Sequence, residues 1–224
     1  MHRLFFPFKG SKMKYIFLLC LAYLFSGCAS YIALPQDTTR AAHNRIKKQV
    51  KEGLIVAAED YSEYRRARRY FYRDMVDLGY IPIYVCIGNQ SESEFTVRNE
   101  KITLRFEDGT EAKAADFKEV IDRAQLSGGT AFFGFLLGIA PGFFMLSSIN
   151  NANDALDQDY SKKAFRDSHI RRGDNLFGFL FFKAPARKRI ASLKDATLEV
   201  NADKKAEPGQ QGETFKFLVS IDAE

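Results

Sequence analysis

The sequence predicts a mainly β domain, an antiparallel sandwich interrupted by a helical excursion. Three observations predict it. Short runs in which apolar and polar residues alternate occur on both sides of the chain's midpoint, as in Phe215, Phe217, Val219 and Ile221 near its end. Turn chemistry separates them, as at Asp108-Gly109 and in KKAEPGQQGE. Between the two groups of strands, residues 117–171 read as helical and carry an uncharged stretch, GGTAFFGFLLGIAPGFFML, from Gly128 to Leu146.

The first element is a targeting segment. Lys12 and Lys14 flank an apolar run, Tyr15 to Phe25, that is short for a membrane span. Ser26, Gly27 and Cys28 follow. This pattern resembles the lipobox of bacterial lipoproteins, with Phe25 where that pattern usually has Leu. The resemblance implies cleavage between Gly27 and Cys28, a diacylglycerol on the Cys28 thiol and an acyl chain such as palmitate on its amine. One acyl chain binds a membrane only weakly, whereas two or three hold a protein permanently. An ordinary secretory signal with an incidental cysteine is the alternative. Ala29 stands where the family's inner-membrane retention signal has Asp, which implies the outer membrane, facing the periplasm. Met13 makes a more typical start than Met1.

Cleavage changes the charge argument. The chain carries 33 Lys and Arg against 28 Asp and Glu. Arg3, Lys9, Lys12 and Lys14 precede Cys28 with no acid among them, so 29 bases face 28 acids in the mature chain. A global electrostatic case for nucleic acid disappears. Of three cysteines, Cys20 lies in the signal and Cys28 is the anchor. Cys86 stands alone in an apolar run and reads as a buried small hydrophobe.

Residues 28–43 read as the lipidated N-terminus and a tether. Residues 44–224 read as a single β-sandwich domain, with the helical insert at about 117–171. Asn44 to Lys51 suggests a short helix, and LIVAAED (Leu54–Asp60) a strand. Tyr61 to Gly79 reads as a helix with Tyr64, Ala67, Phe71, Met75 and Leu78 on one face. Arg65, Arg66, Arg69 and Arg73 lie largely opposite, and Gly79 is the expected stop. In YIPIYVCIGN, Ile81, Ile83, Val85 and Ile87 alternate, and Pro82 argues for an edge strand. SEFTVRN and KITLRFEDGT continue what reads as an antiparallel meander. Asn175–Pro185, Ala196–Asp203 and the final run complete six or seven strands, immunoglobulin-like in the loose architectural sense. With no Trp, the Cys–Trp–Cys hallmark of true immunoglobulin domains is absent.

The insert carries Gly134, Gly138 and Gly142 at every fourth position, a glycine-zipper spacing that gives a helix one smooth face for close approach. Phe132, Phe133, Phe135, Phe143 and Phe144 supply bulk for helix packing or membrane contact. Pro141 makes it either a kinked helix or a hairpin turning at IAPG. Such a hairpin has arms of about 15 Å, half the hydrocarbon thickness. It packs on copies of itself or on a membrane, or is buried against its own domain. A single span is the third form. DALDQDYSKKAFRDSHIRR reads as the helix leading out, with Asn153 or Asp154 as its cap.

Other motifs read structurally. RRARRYFYR is a solvated basic face, with anionic lipid headgroups as the alternative contact and nucleic acid disfavoured. NNANDALDQDY lacks the glycine and terminal Glu of a calcium loop. Arg172 to Asp174 is a turn before a strand, and Asn89-Gln90-Ser91 a hairpin turn rather than a glycosylation site. His43 falls in the tether and His169 in a charged helix end, neither with a nucleophile in recognisable context. No cofactor, metal or catalytic residue is expected, and an enzyme ranks last.

YFYRDMVDLGYIPIYVCIGNQSESEF, FEDGT and GFLFFKAP are similar to a recurrent kind of bacterial envelope lipoprotein in which an apolar, Gly-rich insert interrupts a small β domain. The resemblance implies an envelope location and no known reaction. The expectation is a structural or accessory protein that binds an envelope partner or forms a homo-oligomer through the insert. The alternative is a membrane-active or pore-associated component whose 128–146 hairpin enters the bilayer.

Overall fold

A computed structural model describes residues 42, 45, 47–125, 141–185, 193, 196–206 and 212–221, with side chains of the 141–163 helix described from residue 149 onward. The chain divides into two compact units, Met1–Tyr31 with Leu126–Ala155, and Ile32–Gln125 with Leu156–Glu224. Of the first, the described residues are helical Pro141–Ala155, in which Ile149 and Ala152 are buried. The second is the β body.

Among the described residues, nine strands and three helices follow in order: β1 Lys48–Lys51, β2 Leu54–Asp60, α1 Tyr64–Phe71, β3 Tyr80–Asn89, β4 Phe95–Arg105, β5 Glu111–Lys113, α2 Phe117–Ala124, α3 Pro141–Lys163, β6 Ser168–Ile170, β7 Asn175–Lys183, β8 Ala196–Lys204 and β9 Thr214–Ile221. One sheet has the order β1-β2-β3-β7 and the other β5-β4-β8-β9, with β6 also pairing β4. Every pairing between named strands is antiparallel. In immunoglobulin lettering, β2, β3 and β7 take the places of strands A, B and E. Strands β5, β4, β8 and β9 take those of C′, C, F and G. Residues 114–171 occupy the stretch where strand D would lie. The free edge of β7 is met instead by single bridges from Ala114 and Ala164.

Alternation decides which side chains meet between the sheets. Leu54, Val56, Ile81, Ile83, Val85 and Phe182 face Ile102, Leu104, Leu198, Val200, Phe217 and Val219 in one aliphatic core. The sandwich also closes along its β1–β9 side. Gln49 Oε1 accepts the Leu218 N–H at 2.6 Å, and Lys51 Nζ donates to the Lys216 carbonyl. These side chains occupy backbone groups that an edge strand would otherwise leave open.

Several expectations are corrected. Residues 48–51 are not helical but form a strand, because Glu52-Gly53, both at positive φ, make a tight turn that folds them onto β2. Strand β3 is interior rather than at an edge. Pro82 is tolerated because it lies one residue past Ile83, the last partner of β2. Its carbonyl, on the same side as its missing N–H, accepts from Tyr61 N as the chain departs. The expected meander is instead a crossover, since β3 and β4 belong to different sheets. Asn89 shapes it, with its Oδ1 accepting from Ser91 N and its Nδ2 donating to the Ser93 and Ile170 carbonyls. SEFTVRN and KITLRFEDGT share one long strand with an irregularity between Val97 and Ile102.

The helices also differ from their expected bounds. Helix α1 ends at Phe71 rather than Gly79, with Tyr72 in the left-handed region at φ 59°. Asp74 Oδ1 then takes the N–H groups of Val76 and Asp77, which nucleates a turn in place of further helix. Tyr64, expected on the core face, is 51% exposed, whereas Ala67, Phe71 and Met75 are fully buried. Helix α3 begins at Pro141, a position that needs no N–H, so Asn153 and Asp154 lie inside it rather than capping it. It stops at Lys163, and His169 sits on strand β6, not on a helix end.

Candidate interaction face

The outer face of the β1-β2-β3-β7 sheet is unusual for a sandwich, because it is buried too. Tyr84 of β3 and Phe179 of β7 point outward into an aromatic layer with Tyr61, Tyr70 and Phe71. Phe179 lies 4.8 Å from Phe71, 4.9 Å from Tyr61 and 5.1 Å from Tyr84, all edge to face. Phe181 extends the layer to Tyr160 and to Phe117 of α2. Burial on both faces explains why β3 reads as a nearly unbroken apolar run.

Helix α1 is held on this layer at both ends. Glu63 caps its start by accepting from Arg65 N and Arg66 N. At its end, Lys163 Nζ donates to the Tyr70 carbonyl at 2.5 Å and to Asp159 at 2.6 Å. Tyr160 Oη donates to the Phe71 carbonyl at 3.0 Å. The helix's last carbonyls thus find partners on α3. Burial holds the Lys163 amine below its ordinary range, opposed by Asp159, and drives the Tyr160 hydroxyl well above its own.

The N-terminal strap crosses the same face. Ala42 is fully buried against Gly88, where an added Cβ would come within 3.3 Å of its Cβ. Arg45, 5% exposed, lies over the Tyr84 ring at 4.9 Å and places Nη1 2.6 Å from Glu59 Oε1. The other Glu59 oxygen takes Arg66 Nη2 of α1 at 2.9 Å, and the Arg66 guanidinium stacks 3.7 Å over Tyr61. Burial opposes the Arg45 charge most, but the hydrogen bond and the charge of Glu59, with Tyr84 and Cys86, together outweigh it and raise its pKa. One carboxylate therefore ties the strap to α1. The fold begins by Ala42, inside the stretch read as tether.

Cys86 is buried beneath this face, as expected, and burial pushes its thiol up to about 11. The opposite sheet presents polar ladders outward. Lys101 donates to Asp203 at 2.6–2.8 Å, and Glu199 takes Lys216 at 2.7 Å and Arg105 at 3.3 Å.

Most of the residues singled out from the sequence lie elsewhere. Gly27, Cys28, Phe132, Phe133, Phe135, Gly134 and Gly138 fall outside the described residues. Gly142, Phe143 and Phe144 are helical in the first turn of α3, and their side chains lie outside the description. No described helix is long and apolar enough to cross a membrane. Among the described residues no His, Cys, Asp and Glu cluster is arranged for a metal. His169 Nδ1 is 2.8 Å from Thr96 Oγ1 on an exposed strand pair. Arg172-Gly173-Asp174 forms the expected turn, with Asp174 accepting from Arg171 N. The Arg45–Glu59–Arg66 network was not visible in the sequence, where these residues are separated and follow no period.

No protein-family model and no curated protein matches this sequence. Two solved structures overlap with it loosely. The lipoprotein candidate ycdA of Bacillus subtilis is 14% identical with a TM-score of 0.34, covering 77% of this chain and 38% of its own. The chain thus spans about two fifths of that protein's length. A DUF4426-family protein of Pseudomonas aeruginosa is 11% identical with a TM-score of 0.29, covering 80% of this chain and 96% of its own. At these scores neither overlap carries an argument about function.

Proposed function

We propose that this chain is a lipid-anchored envelope protein with a structural or accessory role, held by acyl chains on Cys28. It engages an envelope partner, or copies of itself, through the apolar stretch Gly128–Leu146. One observation supports this reading most. The segments of the body that lead to the two apolar parts of the sequence all belong to one layer. Ala42 leads back to Cys28, while α2 and the end of α3 at Tyr160 flank the insert, and all three pack on the outer face of the β1-β2-β3-β7 sheet. The other sheet turns a charged surface away from it. A body whose chain connections to both apolar segments leave from one layer, while the other sheet carries charge, suits a surface-anchored protein. The Ala29 argument favours the outer membrane, facing the periplasm.

The test is the mass of the mature N-terminal peptide, read beside fractionation of a Cys28→Ala chain exported behind an ordinary cleavable signal. An acylated peptide beginning at Cys28, and release of the variant from washed membranes, support the anchor. A free cysteine, or cleavage at another bond, sinks it. If the variant stays in the membranes under high salt, the insert itself enters lipid, which is the membrane-active reading. Gly138→Leu then asks whether an oligomer depends on the glycine row, through cross-linking yield.

A further inference from the structure

We infer that the exposed arginine stripe of α1 is a docking surface for the phosphate headgroups of the bilayer in which the chain is anchored; this rests on the lipid-anchor reading above. Arg65, Arg68 and Arg69 stand three and four residues apart, so they share one face of the helix, and all three are exposed. Like charges at that spacing destabilise a helix, and Arg65 sits in a first turn that holds no acid. Arg68 donates to Tyr64 Oη at 2.6 Å, which holds the half-exposed tyrosine beside the stripe. Arg65 and Arg69 have no ion-pair partner among the described residues. The nearby acids are already engaged. Glu59 holds Arg45 and Arg66, Asp60 faces Ser62, Glu63 caps the helix and Asp74 closes the following turn. The stripe's charge is therefore turned outward, complementary to an anionic surface.

The occupant follows from where the chain is tethered. Glu59 couples α1 to Arg45, and Ala42 is the first described residue of the strap. Only the residues between Cys28 and Ala42 separate the acyl chains from this face. Even fully extended they reach about 50 Å. An anchored body therefore samples the bilayer surface continually, at high effective concentration, with the basic helix on the face where its tether enters. Basic residues near an anionic leaflet each contribute about a factor of five in partitioning, and salt screens them.

The test is flotation of the mature chain, residues 28–224 carrying Cys28→Ala and no signal segment, so that neither lipidation nor the apolar signal masks the effect. The vesicles are phosphatidylcholine alone, or phosphatidylcholine with roughly one part in three phosphatidylglycerol. The expected result is binding to the anionic vesicles only and release by high salt. The Arg65→Gln, Arg68→Gln, Arg69→Gln triple should lower partitioning about a hundredfold. The corresponding triple to Lys should keep most of it, which separates charge from helix integrity, and far-ultraviolet circular dichroism checks that both variants fold. Binding that ignores lipid charge, survives high salt or is unchanged in the Gln triple would overturn the inference. Failure of the anchor shows instead as an unacylated N-terminal peptide, a separate result.

Discussion

The two sheets of this sandwich solve burial differently. The β5-β4-β8-β9 sheet packs one face inward and gives the other to water, so β9 alternates strictly between exposed and buried positions along most of its length. The β1-β2-β3-β7 sheet is covered on both sides, and all ten residues of β3 are buried. Its inner face is mainly aliphatic, while its outer face is aromatic and titratable, carrying Tyr84, Cys86 and Phe179 under the N-terminal strap and the helices. The lesson is that α1, α2 and the end of α3 are not appendages to a finished sandwich. Together with the N-terminal strap they supply the second half of that sheet's environment.

The comparison breaks most sharply at Phe179. Phe179→Ala should cost about 4 kcal/mol, close to the effect of a large truncation in the inter-sheet core such as Leu198→Ala. Urea denaturation should show one cooperative transition for both variants. A separate early transition in the Phe179 variant alone would mean the aromatic layer opens independently. Next is the seam between the layers. After α3 the chain crosses the β7 edge at Gly178, where an added Cβ would lie 2.4 Å from the backbone N and Cα of Phe165. Gly178→Ala should cost about 3 kcal/mol, since backbone must move and Phe165 leaves the core. A melting temperature within a degree of wild type would show that this close approach is relaxed.

Alkaline pH separates the layers by chemistry. The inter-sheet core holds no titratable group among its clustered residues, whereas burial raises the pKa of Cys86, Tyr61 and Tyr160 on the outer face. A group raised on folding contributes stability below its unfolded value and loses it as pH rises through the folded one. For Cys86 that window runs from 9.0 to about 11, with about 2 kcal/mol at stake. Stability measured against pH should fall over this window, and Cys86→Ala should make the fall shallower. An unchanged slope would remove the thiol from the account. The smallest effect belongs to the exposed sheet. Lys101→Met should cost about 0.5 kcal/mol at neutral pH. The bond from Lys101 holds the Asp203 carboxyl below its usual range, so this contribution is present above the unfolded value and vanishes as pH falls through the folded one. A cost that persists in acid would point to packing of the lysine stem instead.

Legibility followed the same division. Strands with one wet face were readable as alternation, and β8 and β9 lie close to where their patterns put them. Strand β3 was readable as a strand but not as an interior one, because Pro82 signals an edge unless the neighbouring strand is known to end at Asp60. The candidate face was legible in pieces. The arginines of α1 and the burial of Cys86 could be read, but the Glu59 link from strap to helix could not, since it joins residues brought together by three different elements.

By itself the sequence determined the mainly β class, most strand positions, helix at 117–124 and in the segment leading out of the insert, and the turn at Asp108-Gly109, all of which rest on short-range periodicity and turn chemistry. Only the tertiary structure decided that residues 48–51 pair rather than coil, that α1 ends at Phe71 and that His169 lies on a strand. In each case local preference is worth a few tenths of a kcal/mol per residue. Partners outside each segment, namely β2 across the Glu52-Gly53 turn and, far along the chain, Lys163 with Tyr160 and Thr96, offer backbone and side-chain bonds that outweigh it.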